Sequence, residues 1–338
     1  MKQIAGNLAL SVCAAEPILP IGTAVVGAGY FGRRHALCYA RLAGSQLQAL
    51  IDPDPVTQSL AEQLGVPWYS HVAHLPSTVG AVSVATPIAS HYELAKALLE
   101  RGLDVLLEKP IAETVAQAME LQMLAKAKNC ILQIGHIERF NPAFKAGPAL
   151  LPRARTIRTK RTTQRPPRIG ALDVVIDLMI HDLDLILYGV ACPLIELDAY
   201  GLSHGLTPID EAQVELVLAN GCRAHLSAYW GSATAQEERH MIAELDNNEI
   251  WMMDFNRRAS YHMAPANSSR NLGNVGNPAP ASPGQASEGV EHDTLSLQLA
   301  SFLDASRHRA APRVTSEDGY AALGLAQRIR QRILESAQ

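Results

Sequence analysis

From Ile21 onward, short apolar runs alternate with stretches of helical periodicity. The runs at 21–26, 47–51, 81–85, 105–107 and 131–134 are continuous rather than alternating, as strands buried on both faces are. Between them, 33–43, 57–64, 90–101 and 114–128 carry the spacing of helices. This alternation predicts an α/β fold, a doubly wound parallel sheet with helices on both faces. Helix punctuation agrees: Ser90 is placed to cap the third helix, with Glu93 three residues on, and Gly102 to close it.

Beyond about residue 150 the pattern changes. Strand-like segments at 213–219 and 222–230 flank Asn220-Gly221, a strong two-residue hairpin signal. A second hairpin is expected from 238–245 and 249–255 across Asp246-Asn247-Asn248. With 156–163 and 195–202 added, this half predicts an α+β domain on a mostly antiparallel sheet. One long helix is expected over 172–188 and two more over 293–307 and 316–335. Residues 256–290, rich in Ser, Asn, Pro, Gly and Ala, read either as a mobile loop or as an arm ordered by a neighbour or ligand. The expected division is an arm over 1–20, a nucleotide-binding domain over 21–145 and a substrate and oligomerisation domain over 146–338.

Composition narrows the class. The 338 residues hold 29 Lys+Arg against 33 Asp+Glu, a net charge of −4, and 48% are hydrophobic. That is ample material for a core, and wholesale disorder is excluded. A slightly acidic balance speaks against a nucleic-acid partner bound by phosphate neutralisation. The five cysteines (Cys13, Cys38, Cys130, Cys192, Cys222) form neither a C-x-x-C pair nor an even disulfide framework. No metal is therefore expected, and a reducing, cytoplasmic location is. No apolar run approaches the ~20 residues that span a bilayer, so no membrane partner is expected. Lys2 and the apolar stretch 4–15, interrupted by Gly6, Asn7 and Ser11, imitate a signal peptide poorly and read as a dangling arm.

The first strand runs into Gly27-Ala28-Gly29-Tyr30-Phe31-Gly32, a G-x-G-x-x-G at a strand-to-helix turn. Its glycines allow a tight turn and close approach of a pyrophosphate to free helix N–H groups. Asp52 stands 20 residues beyond Gly32 at the end of the second strand, where an acid accepts from the ribose 2′-hydroxyl and repels a 2′-phosphate. NAD, not NADP, is the predicted cofactor, with Tyr30 and Phe31 beside it. Thr86, Pro87 and His91 follow the strand at 81–85 and are candidates to line the same cleft, although His91 reads equally as a helix-surface histidine.

Glu108-Lys109-Pro110 follows the strand at 105–107, where the nicotinamide should lie, so Glu108 and Lys109 are also expected cofactor contacts. A lysine there is placed to hold a substrate hydroxyl and to stabilise the alkoxide that develops as hydride leaves. The helix from Asp173 to Asp184 is apolar almost all round, yet Asp173, Asp177, His181 and Asp184 fall on one stripe, spaced 4, 4 and 3. Asp177 is expected to hydrogen-bond His181 and stabilise its protonated form, with His181 the general base. A stripe that merely faces solvent is the other reading. The run Arg153, Arg155, Arg158, Lys160, Arg161, Arg165 and Arg168 suits a diphosphate-bearing substrate, with Arg158 and Arg165 as the chosen contacts; a solvated or subunit-facing strand fits it equally.

The fingerprint, the Ala85-Thr86-Pro87…His91 segment, Glu108-Lys109-Pro110 and the Asp177…His181 pair, in this order, resemble the family of glucose–fructose oxidoreductase, inositol 2-dehydrogenase and MocA. The resemblance spans about 21–333. It implies a Rossmann domain followed by a domain on an open, mostly antiparallel sheet whose exposed face pairs subunits into homodimers or homotetramers. It implies hydride transfer between a nicotinamide and a secondary alcohol, with Lys109 and His181 the catalytic pair and Asp177 beside them. Two segments, Gly135-His136-Ile137-Glu138-Arg139-Phe140-Asn141-Pro142 and Asp177–Asp184, narrow the resemblance. They are similar to those of members that oxidise the 3-hydroxyl of UDP-N-acetylglucosamine for the 3-amino sugar of lipid A. His136 and Arg139 thereby join Lys109, Arg158, Arg165, Asp177 and His181 as expected substrate contacts. Another UDP-sugar, a free sugar or inositol is the alternative substrate. A non-catalytic NAD-sensing regulator on the same scaffold is the second alternative.

Overall fold

The computed structural model describes residues 19–164, 172–231, 236–263 and 293–336. Residues 1–18 of the expected N-terminal arm, Arg165, Arg168 and residues 264–290 lie outside the described residues, and within the expected 256–290 loop Ala259–Met263 is a strand paired with Ile250–Asp254.

Six strands form a parallel sheet in the order β3-β2-β1-β4-β5-β6. They are β1 (Ile21–Val26), β2 (Ser45–Ile51), β3 (Trp68–Tyr69), β4 (Ala81–Val84), β5 (Asp104–Leu107) and β6 (Leu132–Ile134). Helices α1 (Tyr30–Tyr39), α2 (Gln58–Leu64), α3 (His91–Glu100) and α4 (Val115–Ala127) connect them. The order reverses at β1 and β4, and the crevice at the carboxyl ends of those strands is where such sheets bind ligands. Only the two-residue β3 escaped the sequence pattern, being too short to show a period.

Two helix starts differ from expectation. α1 begins three residues early, inside the glycine fingerprint, with Gly29 as its N-cap. Ser90 does not cap α3: a 3-10 turn over Ile88–Ser90 makes its backbone already helical, and its hydroxyl donates to the Thr86 hydroxyl and the Pro87 carbonyl instead. The full capping box belongs to α4, where Thr114 and Gln117 exchange bonds of 3.2 Å.

The second sheet contains β7 (Ala154–Gln164), β8 (Leu194–Leu202), β9 (Glu211–Leu218), β10 (Arg223–Gly231), β11 (Glu238–Leu245), β12 (Ile250–Asp254) and β13 (Ala259–Met263). Its order is β13-β12-β11-β7-β10-β9-β8, antiparallel except for β7 beside β10. Gly221, at φ +85°, closes the β9–β10 hairpin. One face lies under the layer of α5 (Gly147–Leu150), α6 (Ile180–Val190) and α8 (Ser316–Ser336), and among the described residues no helix covers the other. The helix expected over 172–188 is split, with a π turn over Val175–Met179 leading into α6. α7 (Thr294–His308) does not stay with this sheet. Leu295, Leu299, Phe302 and Leu303 pack with Ala36, Tyr39, Leu50 and Leu106 of the parallel layer. Among the described residues, no helix is long and apolar enough to cross a membrane.

Candidate active site

The three fingerprint glycines do different physical work. Gly27 has φ +88°, and a Cβ there would lie 2.7 Å from the Ala85 carbonyl oxygen and the Thr86 methyl. A Cβ on Gly32 would stand 1.6 Å from the Gly27 carbonyl oxygen, so the first turn of α1 closes only around hydrogen. At Gly29 a Cβ would meet nothing within 4 Å, which leaves backbone facing open space at a helix N-terminus. Asp52 accepts from the Ala28 amide at 2.6 Å and the Asp54 amide at 2.9 Å. Its carboxylate thus fixes the cradle and remains part-exposed for a ribose hydroxyl. These residues fit NAD.

Below the cradle a cavity of about 600 Å³ opens between the two sheets. Tyr30, Phe31 and Arg34 line it from α1, Glu108 and Lys109 from beyond β5, and Asp177 and His181 from the π turn and α6. Lys109 Nζ donates to the Asp177 carboxylate and to the Asp177 carbonyl, both at 2.7 Å. These partners, 68 positions apart in sequence, leave the ammonium one further proton to offer into the cavity. Glu108 stands behind it, accepting from the Lys109 amide at 3.3 Å, with His35 Nε2 also 3.3 Å away. Burial opposes ionisation of Glu108, but His35 and Lys109 outweigh it and hold the carboxyl below its ordinary range. A Cβ on Gly135 would lie 2.8 Å from that carboxylate, so a larger residue there requires the Glu108 side chain to shift.

His181 differs from expectation. Asp177 gives its carboxylate to Lys109, where a charge-assisted bond outcompetes one to a neutral ring, and no bond joins Asp177 to His181. Burial first, then Lys109, Arg161, His136 and Arg239, press the His181 pKa well below the usual imidazole value. The ring is therefore unprotonated at neutral pH, as a base must be. The rest of the polar stripe disperses as well. Asp173 accepts from the amides of Val175 and Ile176 and pairs with Arg330, while Asp184 holds Arg139.

Several expected contacts lie away from the cavity. His91 is 1% exposed, with Nδ1 2.8 Å from the Pro110 carbonyl and Nε2 2.9 Å from the Thr86 carbonyl; the neutral ring donates to one of the two, and it braces the cleft wall without lining it. Thr86 abuts Gly27 at the cradle, with Pro87 exposed beside it; like the cradle glycines and Asp52, the two lie outside the lining of the large cavity. His136 is fully enclosed behind His181. Arg139, 1% exposed, forks onto Asp184 at 2.7 and 2.8 Å, reaches Asp318 at 3.1 Å and stacks 3.8 Å over the Tyr188 ring. Arg158 faces the open side of β7 with Asp198 and Glu215, on the far side of the sheet. Strand alternation sends Arg161 inward instead, where it binds Glu138 and Asp182. The cavity arginines are Arg161, a member of the basic run not chosen as a contact, and Arg34, Arg239 and Arg258, which no sequence pattern marked. For Arg161 the signal was present, because it shares its strand face with Ile157 and Thr159.

His91 and His136 are both held low, primarily by burial. The unfolded chain protonates them near pH 6.5, whereas the folded one resists. Their share of stability is thus complete above about 6.5 and drains as pH falls toward their depressed folded values. The expected loss is up to about 1.4 kcal/mol per histidine for each pH unit below that point. Urea titrations at pH 7.5 and 5.5 check this; equal stabilities at the two would contradict it.

Residues 21–136 match the family model described as an oxidoreductase family with an NAD-binding Rossmann fold. The chain is 31% identical over 295 residues to UDP-N-acetylglucosamine 3-dehydrogenase of Acidithiobacillus ferrooxidans, covering 85% of this chain and 89% of that protein. The solved structure of that organism's enzyme superposes with TM-score 0.78 at 26% identity, over 95% of this chain and all of the other. An inositol 2-dehydrogenase of Streptomyces avermitilis is 28% identical over 48% of this chain and 51% of its own length.

Proposed function

The chain belongs to the Gfo/Idh/MocA family of NAD-binding oxidoreductases, and on that premise we propose that it oxidises the 3-hydroxyl of UDP-N-acetylglucosamine to the 3-keto sugar nucleotide, toward the 3-amino sugar of lipid A. One observation carries the reading: the Lys109 ammonium and the His181 imidazole border the same cavity beside the nucleotide cradle, with Arg34, Arg161, Arg239 and Arg258 also lining it.

Gly27, Gly29, Gly32 and Asp52 would hold NAD, which would supply the hydride acceptor when bound. Lys109, pinned by Asp177, donates to the substrate hydroxyl and favours its ionised form. His181 accepts the hydroxyl proton at the ring nitrogen that reaches the cavity. Arg239 enters from β11 with its charge tied to Glu237 at 2.5 Å, and Arg34 faces the cavity from α1. Neither is part of the glycine cradle. A second anionic group, the substrate diphosphate, gives them a role. We also assign subunit pairing to the open face of the second sheet, where Tyr200 is 58% exposed, and a cytoplasmic location.

Purified protein with NAD and UDP-N-acetylglucosamine should develop NADH absorbance. No signal with it, but turnover of a free sugar or inositol, would remove the substrate while keeping the chemistry. No turnover across a panel of UDP-sugars, sugars and cyclitols would favour an NAD sensor.

A further inference from the structure

We propose that His136 is a positioning residue: with one buried water shared between the rings, it holds His181 in the tautomer that keeps the proton on Nδ1 and leaves Nε2 bare toward the cavity. The inference rests on His181 being the base. Buried polar atoms without partners are rare in folded proteins, and each needs an account. Here three ring nitrogens are enclosed and unpartnered together: Nδ1 and Nε2 of His136, and Nδ1 of His181. The two rings meet edge to face with centroids 6.2 Å apart and no hydrogen bond between them. An ordered water needs at least two polar partners, and one water bonded to both rings would satisfy a nitrogen of each.

The direction of the proton follows from the surroundings. Nδ1 of His181 is enclosed, so Nε2 is the nitrogen that meets the cavity. A neutral imidazole has one donor and one acceptor, and a base needs its acceptor on the substrate side. The Nδ1 proton must then find an acceptor behind the ring. Asp177, the carboxylate that could have served from the same helix, is taken by Lys109. Asp182 gives one oxygen to Arg161; its other oxygen is enclosed without a hydrogen-bond partner, and Thr159 bears on that carboxyl. The groups that bear on His181 are Lys109, Arg161, His136 and Arg239, and those that bear on His136 are Asp184, Arg139, Lys109 and Asp318. The cations around His181 cannot accept, whereas neutral His136, held by the strand end after β6, can do so through water.

The test uses full-length protein with 15N-labelled histidine, its His181 signals assigned by comparison with H181N. Wild type should show the Nδ1-protonated tautomer with and without NAD. In H136F, which fills the same space without a nitrogen, the tautomers should mix, kcat should fall about 10-fold or more, and NAD affinity should hold. In H136Q, which retains polar atoms, part of kcat should return, and the acid limb of the pH profile should lie nearer wild type than in H136F. An Nε2-protonated His181 in wild type, or an unchanged tautomer in H136F, would overturn the proposal. The tautomer is read without substrate, so it stands or falls separately from the choice of sugar.

Discussion

Lys109→Met should slow oxidation of the sugar hydroxyl about 10³-fold while NAD affinity stays as it is. Methionine keeps most of the aliphatic stem but removes the charge that Asp177 aims into the cavity through its 2.7 Å bond. An oriented donor at developing negative charge is worth about 10²–10³ in rate, and help with proton removal about 10²–10⁴. The cofactor grip lies elsewhere, in the glycine cradle and Asp52, so binding should survive. Stopped-flow NADH absorbance gives the rate, and calorimetric titration gives the affinity. A variant that keeps its rate, or one that loses NAD binding in step with rate, would contradict the role assigned to Lys109.

Arg139→Met should produce the largest loss of stability, about 3–5 kcal/mol. Its guanidinium ties the segment after β6 to Asp184 on α6 and Asp318 on α8, with Asp184 1% exposed. Removing the cation strands Asp184 in a medium that cannot solvate it. Substituting Asp184→Leu as well should recover much of the loss, since an apolar pair replaces a buried ionic one at little cost. A substrate contact at Arg139 would behave differently: KM would rise while the unfolding midpoint stayed put. Urea titrations of the two single variants and the double variant separate the cases, and a loss under about 1 kcal/mol would refute the structural role.

What the chain displayed in its sequence was local. Continuous apolar runs revealed the parallel strands, Asn220-Gly221 marked a hairpin, and spacing alone put Asp52 opposite the cradle, because each depends on a few neighbouring residues. The misplacements share a different cause. Arg139 and His91 are polar residues whose partners come from elements distant in sequence, and nothing local separates a buried ion-pair centre from a ligand contact. Asp177 was paired with His181 because both lay on one helix. The competing ammonium arrived from 68 residues away, and the π turn changed the spacing. Arg158 was a mistake of strand phase: β7 shows Arg161 to one side of the sheet and Arg158 to the other.

The return of α7 makes the nucleotide-binding layer discontinuous along the polypeptide. A fragment ending near residue 145 would expose Leu50, Leu106 and Tyr39 where Leu299 and Phe302 now cover them. Gene fusions or chimaeras that exchange this layer between relatives must therefore carry two separate stretches of coding sequence. A single crossover joint would yield an aggregating product, however well the first 145 residues matched.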